Sequence, residues 1–171
     1  MRRPTLSSLG TRKRSPGFGD DVGMTDWNRV EAELDQQGCA TLEGLLAAGE
    51  CRAVEALYGE DGRFRSRVVM ERHGYGRGEY KYFSYPLPET VARLRDALYP
   101  RLAPIANRWN EAMGIDVRYP ERLEAFLARC HAAGQERPTP LLLRYGAGDY
   151  NCLHQDLYGC LLYTSPSPRD S

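Results

Sequence analysis

Residues 144–156 read RYGAGDYNCLHQD, and the fold turns on how this stretch is read. TPLLLRYG reads as one strand and YNCLHQDLYG as a second, with AGD as the tight connection between them. On a strand, side chains two apart share a face, so His154 and Asp156 aim an imidazole and a carboxylate at one point. They supply two legs of the 2-His-1-carboxylate triad, which holds Fe(II) and leaves three positions open.

Upstream, the periodicity alternates between helix and strand. Trp27, Val30 and Leu34 fall on one helical face, and Gly38 is a natural stop for that helix. CATLEGLL reads as a short strand and turn. AGECRAVEALYG reads as a helix with Cys51, Val54, Leu57 and Tyr58 inward. RFRSRVVM reads as a strand carrying Phe64, Val68 and Met70. In ERHGYGRGEYKYF, the glycines at 74, 76 and 78 suggest a tight hairpin-like loop. No helix opens after them, as a phosphate cradle would require. Tyr75, Arg77, Tyr80, Lys81, Tyr82 and Phe83 have the chemistry to stack bases. A strand with one buried aromatic face is the plainer reading.

The segment PETVARLRDALYPRLAPIANRWNEAMG carries a helical stripe of Val91, Leu94, Leu98, Leu102 and Ile105, which Pro100 and Pro104 are expected to kink or divide. PERLEAFLARCHAAG predicts a second amphipathic helix, with Pro120 in its first turn and Gly134 at its end. Cys130 and His131 are neighbours in that helix. Their side chains diverge by about 100°, so they do not chelate one metal readily.

Composition bounds the class. The 171 residues are 42% hydrophobic and 27% charged, enough for one globular domain with a core. With 23 basic and 23 acidic residues the net charge is zero, so charge alone announces no nucleic-acid binding. A local basic groove is compatible with that balance. Five cysteines without a C-x-x-C pair point to a reducing cytoplasm rather than a disulfide framework. No apolar run is long enough to span a membrane. Residues 1–23 are basic and rich in Ser, Gly and Pro. They read as a disordered tail, or as a start called too early with Met24 the true one.

RYGAGDYNCLHQD resembles the pattern R-Y-x-x-G-x-x-x-x-L-H-Q-D of the AlkB-like oxidative DNA-dealkylation enzymes, which are Fe(II)/2-oxoglutarate-dependent oxygenases. Arg144, Tyr145, Gly148, Leu153, His154, Gln155 and Asp156 match without a gap. GEYKYFSYPLP, LYPRLAPIANRW and CHAAGQERPTPLLLRYGAGDYNCLHQDLYG are similar to a bacterial branch described as acting on damaged DNA, over about residues 25–159. The resemblance implies an α+β fold: a double-stranded β-helix (jelly-roll) core, incomplete at the C-terminus, with flanking N-terminal helices. It implies Fe(II), 2-oxoglutarate as co-substrate and O2, with His154 and Asp156 as metal ligands. Tyr145 matches a tyrosine that hydrogen-bonds 2-oxoglutarate. The asparagine expected two residues earlier is Leu143 here, so Asn151 is the candidate substitute. The reaction implied couples decarboxylation of 2-oxoglutarate to hydroxylation of a nearby C–H bond, which on an N-methyl base releases formaldehyde.

Alkylated DNA is the substrate this favours. A prolyl or other protein side chain, or a non-catalytic cupin-like module that binds a metal or ligand, are the alternatives. Oligomeric state is not legible. The second histidine ligand and a basic residue for the distal carboxylate of 2-oxoglutarate are expected downstream, and neither His73 nor His131 sits where the family places its ligand. The closing CLLYTSPSPRD back-translates to the read-through of a transposase-based sequencing adaptor. Native sequence is accordingly expected to stop near Gly159, with residues 160–171 an artefact. The chain as written is then expected to be inactive, its parent an oxygenase.

Overall fold

The computed structural model describes residues 22–153. Most of the tail expected over residues 1–23, the segment 160–171, and both expected metal ligands His154 and Asp156 lie outside them. The chain divides into two compact units, the first ending at Leu45 and the second starting at Leu46.

In the first unit, helix α1 (Trp27–Gln37) is built as its sequence predicts. Asp26 caps it, its carboxylate accepting from the Arg29 amide at 3.1 Å. Gly38 ends it in the left-handed region, donating to the Leu34 carbonyl at 3.0 Å. Val30 is its buried residue. The strand expected in CATLEGLL does not form; residues 39–46 are turn and irregular chain. Its leucines, Leu42 and the Leu45–Leu46 pair, are separated by an acid and a glycine.

The second unit opens with α2 (Ala48–Ala56), where the Glu50 carboxylate accepts from the Ala47 amide at 3.0 Å. Tyr58 is buried as expected, whereas Cys51 is exposed. The helix ends at Ala56 and gives way to a tighter turn (Leu57–Gly59).

Five short strands follow: β1 (Phe64–Val69), β2 (Gly76–Arg77), β3 (Glu79–Phe83), β4 (Leu141–Arg144) and β5 (Tyr150–Asn151). β3 is central in an antiparallel sheet of order β1-β3-β4, and β2 pairs antiparallel with β5 in a second ribbon. Arg65 forms a bulge between Phe64 and Ser66. Flanked on both edges, β3 buries both faces: Glu79, Tyr80, Lys81 and Phe83 are all buried. The expectation of one buried aromatic face is therefore corrected. Phe83 is fully buried and stacks on Phe64 at 4.8 Å, burial that stabilises by about 2–3 kcal/mol.

Helix α3 (Glu89–Ala112) runs through both prolines without division. Pro100 and Pro104 lie on its exposed side. The carbonyls that lose their donors, of Asp96 and Pro100, belong to exposed residues and can take water instead. Ile105 is buried as the stripe requires, but Leu102 is 42% exposed and Ala103 takes the buried position. Helix α4 (Leu123–Ala132) starts after Pro120, which was expected inside it. The Pro120 carbonyl instead accepts from the Tyr99 hydroxyl at 2.8 Å, and the Tyr99 and Phe126 rings stack at 5.3 Å, tying α4 to α3. Cys130 is buried, donating to the Phe126 carbonyl at 2.9 Å, and His131 is exposed.

The described residues are thus mixed helix and antiparallel sheet. They do not themselves close a barrel. None of their helices is long and apolar enough to cross a membrane.

Candidate functional site

The site is built where the two ribbons meet. Only Gly78 separates β2 from β3, so one run of chain pairs first with β5 and then with β4. The registers are Gly76 with Asn151 and Arg77 with Tyr150, then Glu79 with Arg144 and Tyr80 with Leu143. β4 and β5 are consecutive in sequence yet do not pair with each other. Their connection is a turn in which the Asp149 amide donates to the Gly146 carbonyl at 3.1 Å. The Asp149 carboxylate accepts from the Gly146 amide at 2.8 Å. Gly148, at φ 82°, sits where a side chain would strain the backbone.

Two glycines make the approach possible. Gly76, at φ +112°, lies so close to β5 that a Cβ would stand 2.3 Å from the Tyr150 carbonyl oxygen. Gly78, at φ +127°, lies under the Tyr145 ring, where a Cβ would stand 2.8 Å from Cδ1. The ribbon continues past β5, the Cys152 amide donating to the Tyr75 carbonyl at 2.9 Å. Gly76 is therefore a packing surface for β5, and Gly78 for the Tyr145 ring.

Tyr145 lines an open groove of about 400 Å³ together with Gly78, Glu79, Arg144, Gly146 and Asp149. Beneath one end of the groove is a charged cluster. The Glu79 carboxylate is 8% exposed and sits between two guanidiniums. Arg67 Nε donates to it at 2.7 Å, and Arg144 pairs with its other oxygen. Burial alone would raise the Glu79 pKa; the hydrogen bonds from Arg67, the neighbouring Tyr58 hydroxyl and the charges of Arg144 and Arg67 outweigh it and hold the carboxyl below its usual range. Arg144 lies 4.7 Å from the Tyr58 ring centroid and Lys81 Nζ 4.5 Å from it. Lys81 donates to the Tyr58 carbonyl at 2.8 Å and to Asp61 at 2.7 Å. Burial, then the Glu79 carboxylate beside it, pushes the Tyr58 hydroxyl up to about 12.

Of the residues singled out from sequence, Tyr145 lines the groove. Asn151 is exposed on β5 opposite Gly76 and is not among the groove's lining residues. Leu143, where an asparagine was expected, is half exposed on β4. His154 and Asp156 fall outside the described residues. Among the described residues no three His, Cys, Asp or Glu side chains are grouped to hold a metal ion. The Arg67–Glu79–Arg144 cluster was not read from sequence. Its one signal is EYKYF, which places an acid and a base at alternate positions inside an otherwise aromatic strand.

Comparison with known proteins supplies what geometry alone does not. Residues 78–164 match the model of a family described as oxygenases catalysing oxidative methylation of damaged DNA. That span contains β3, β4, the groove and Tyr145, Asn151, His154 and Asp156. The chain is similar to an uncharacterized protein of Mycobacterium tuberculosis strain CDC 1551, 45% identical over 103 residues. The uncharacterized counterpart in strain H37Rv matches to the same extent. These matches cover 60% of this chain and 42% of each relative. No solved structure matches.

Proposed function

This chain belongs to the family of oxygenases acting on damaged DNA, and from that membership we propose that it supplies part of an Fe(II)/2-oxoglutarate-dependent centre that oxidatively demethylates alkylated bases. The observation that carries the proposal is the family match over residues 78–164, which takes in the LHQD run and the tyrosine that lines the groove. In this reading His154 and Asp156 hold the iron from one strand face, within a jelly-roll whose remainder lies beyond the described strands. With O2 as oxidant, an Fe(II)/2-oxoglutarate centre held here would hydroxylate a C–H bond of the methyl group while 2-oxoglutarate is decarboxylated to succinate and CO2, and the hydroxymethyl group would then leave as formaldehyde.

The chain's own residues bind and orient. The donor set suits the co-substrate: Tyr145 offers a hydroxyl beside an open groove, and Gly78 leaves the space in which its ring lies. Arg144 places positive charge at the same groove while Glu79 fixes its position. A dicarboxylate in the groove would accept from Tyr145 and be attracted by Arg144. Asp149, on the rim, disfavours a carboxylate at the turn and so biases its orientation. Asn151, on the facing ribbon, is the second candidate donor.

The test is succinate and formaldehyde release from an N-methylated oligonucleotide, run on this chain and on the intact M. tuberculosis relative. Release that requires both Fe(II) and 2-oxoglutarate supports the proposal. Turnover of a peptide but not of methylated DNA would move the assignment to a protein hydroxylase. Absence of succinate release from the relative with either substrate would leave the binding-module reading.

A further inference from the structure

The turn that precedes the site carries chemistry the groove does not use. Arg72, His73 and Arg77 are exposed on the Met70–His73 turn and on β2. The His73 ring stacks on Tyr75 with centroids 5.3 Å apart and planes 18° from parallel. Tyr150 lies directly opposite Arg77 in the β2–β5 ribbon and is 56% exposed. Arg67 and Arg144 are taken up by Glu79, and Arg63 and Arg93 by Glu60 and Glu50. Arg72 and Arg77 have no ion pair among the described residues. One carboxylate, Glu71, shares the turn and leaves the two guanidiniums in excess.

Location gives this patch its meaning. β2 is hydrogen-bonded to β5, and the chain leaves β5 toward His154. Phosphates are met by guanidiniums that no carboxylate has claimed, and bases by ring faces open to solvent. Ring faces on a turn reach bases only where those bases are unstacked, as in single-stranded DNA.

Resting on the reading of this chain as acting on DNA, we infer that Arg72, His73, Tyr75, Arg77 and Tyr150 form a seat for single-stranded DNA on the β2–β5 ribbon and the turn before it. Arg72 and Arg77 contact successive phosphates. The His73–Tyr75 stack and the Tyr150 ring receive unstacked bases.

The experiment is fluorescence anisotropy of a labelled 12-nucleotide single strand with the full chain, titrated over a range of salt, on protein shown folded by near-ultraviolet circular dichroism. The double variant Arg72→Gln/Arg77→Gln is expected to bind about tenfold more weakly, with the salt slope reduced by about 1.4, roughly 0.7 for each phosphate no longer neutralised. Arg52→Gln/Arg137→Gln removes two exposed arginines elsewhere in the same unit and is expected to leave both values unchanged. Ultraviolet cross-linking is expected to map to Tyr75 or Tyr150. Binding by the parent chain with identical affinity and slope in the Arg72/Arg77 variant overturns the seat and leaves the DNA reading standing. No binding of any strand by the folded parent overturns the seat and counts against the DNA reading as well. Tighter binding of the matching duplex than of the single strand also overturns it.

Discussion

Gly76 and Tyr150 approach so closely that the space for a Cβ on one is occupied by the carbonyl oxygen of the other, 2.3 Å away. The contact is backbone to backbone, so neither partner can swing aside. It sets β5 on β2 and thereby the direction in which the chain leaves for His154.

Gly76→Ala is therefore expected to break the β2–β5 ribbon. The left-handed φ and the clash together cost about 1–3 kcal/mol. Hydrogen exchange is the sensitive reading, because the Cys152 amide bonded to the Tyr75 carbonyl should lose protection. Gly74→Ala, also at positive φ but facing open space, should cost about 1 kcal/mol and leave that amide protected.

Gly78→Ala acts on a side chain instead. A Cβ there meets the Tyr145 ring, which can rotate away, and stands 3.2 Å from the Arg144 carbonyl oxygen at a φ of +127°, so some backbone strain is added while the sheet survives and the ring leaves its seat. The expected outcome is weaker 2-oxoglutarate binding by calorimetry, similar to that of Tyr145→Phe, with less stability lost than in Gly76→Ala. Unchanged binding in both variants would remove Tyr145 from the co-substrate site.

Glu79→Gln leaves Arg67 and Arg144 without their shared carboxylate. Both guanidiniums are more than half exposed, at 56% and 62%, so water offsets much of the loss. A cost of about 1–2 kcal/mol is expected, below the roughly 3–5 kcal/mol of a fully buried pair. The pH dependence has a definite sign. The folded pKa of Glu79 lies below its ordinary 4.5, so its contribution is present above that value and lost as pH falls through the folded one. Urea midpoints of the variant should converge on those of the parent chain in acid.

Tyr58 supplies the alkaline counterpart. Its folded pKa, raised from 10.0 to about 12, stabilises the fold fully below pH 10.0, and that stability is lost as pH rises through about 12. Absorbance near 295 nm should show a tyrosine ionising late in the native protein. Tyr58→Phe should remove that late component.

Much of the local structure was legible because it depends on near neighbours. Gly38 ends α1 by capping chemistry that the sequence itself carries. The strand character of LLLR and EYKYF follows from their composition. The errors share a cause. Pro100 and Pro104 are individually helix-breaking, but their exposed side lets water take over the freed carbonyls. CATLEGLL has strand-like residues and no neighbouring strand to pair with among the described residues. Leu102 and Ala103 exchange roles because the buried face is set by what packs against α3, which periodicity does not contain.

By itself, the sequence determined the chemistry available to the site: a histidine and an aspartate two residues apart, a tyrosine nine residues before the histidine, and glycines at 76 and 78. It also carried the family likeness, since a motif is a linear object. Only the tertiary structure decided that Glu79 lies between Arg67 and Arg144, and that Gly76 and Gly78 are close-packed surfaces. It alone set Arg77 opposite Tyr150 on β5, with Arg72 on the turn before β2 and neither in an ion pair among the described residues. Arg67 and Glu79 are 12 positions apart in sequence, and the partners on β4 and β5 are far more distant. Such pairings arise from sheet register and burial rather than from local preference.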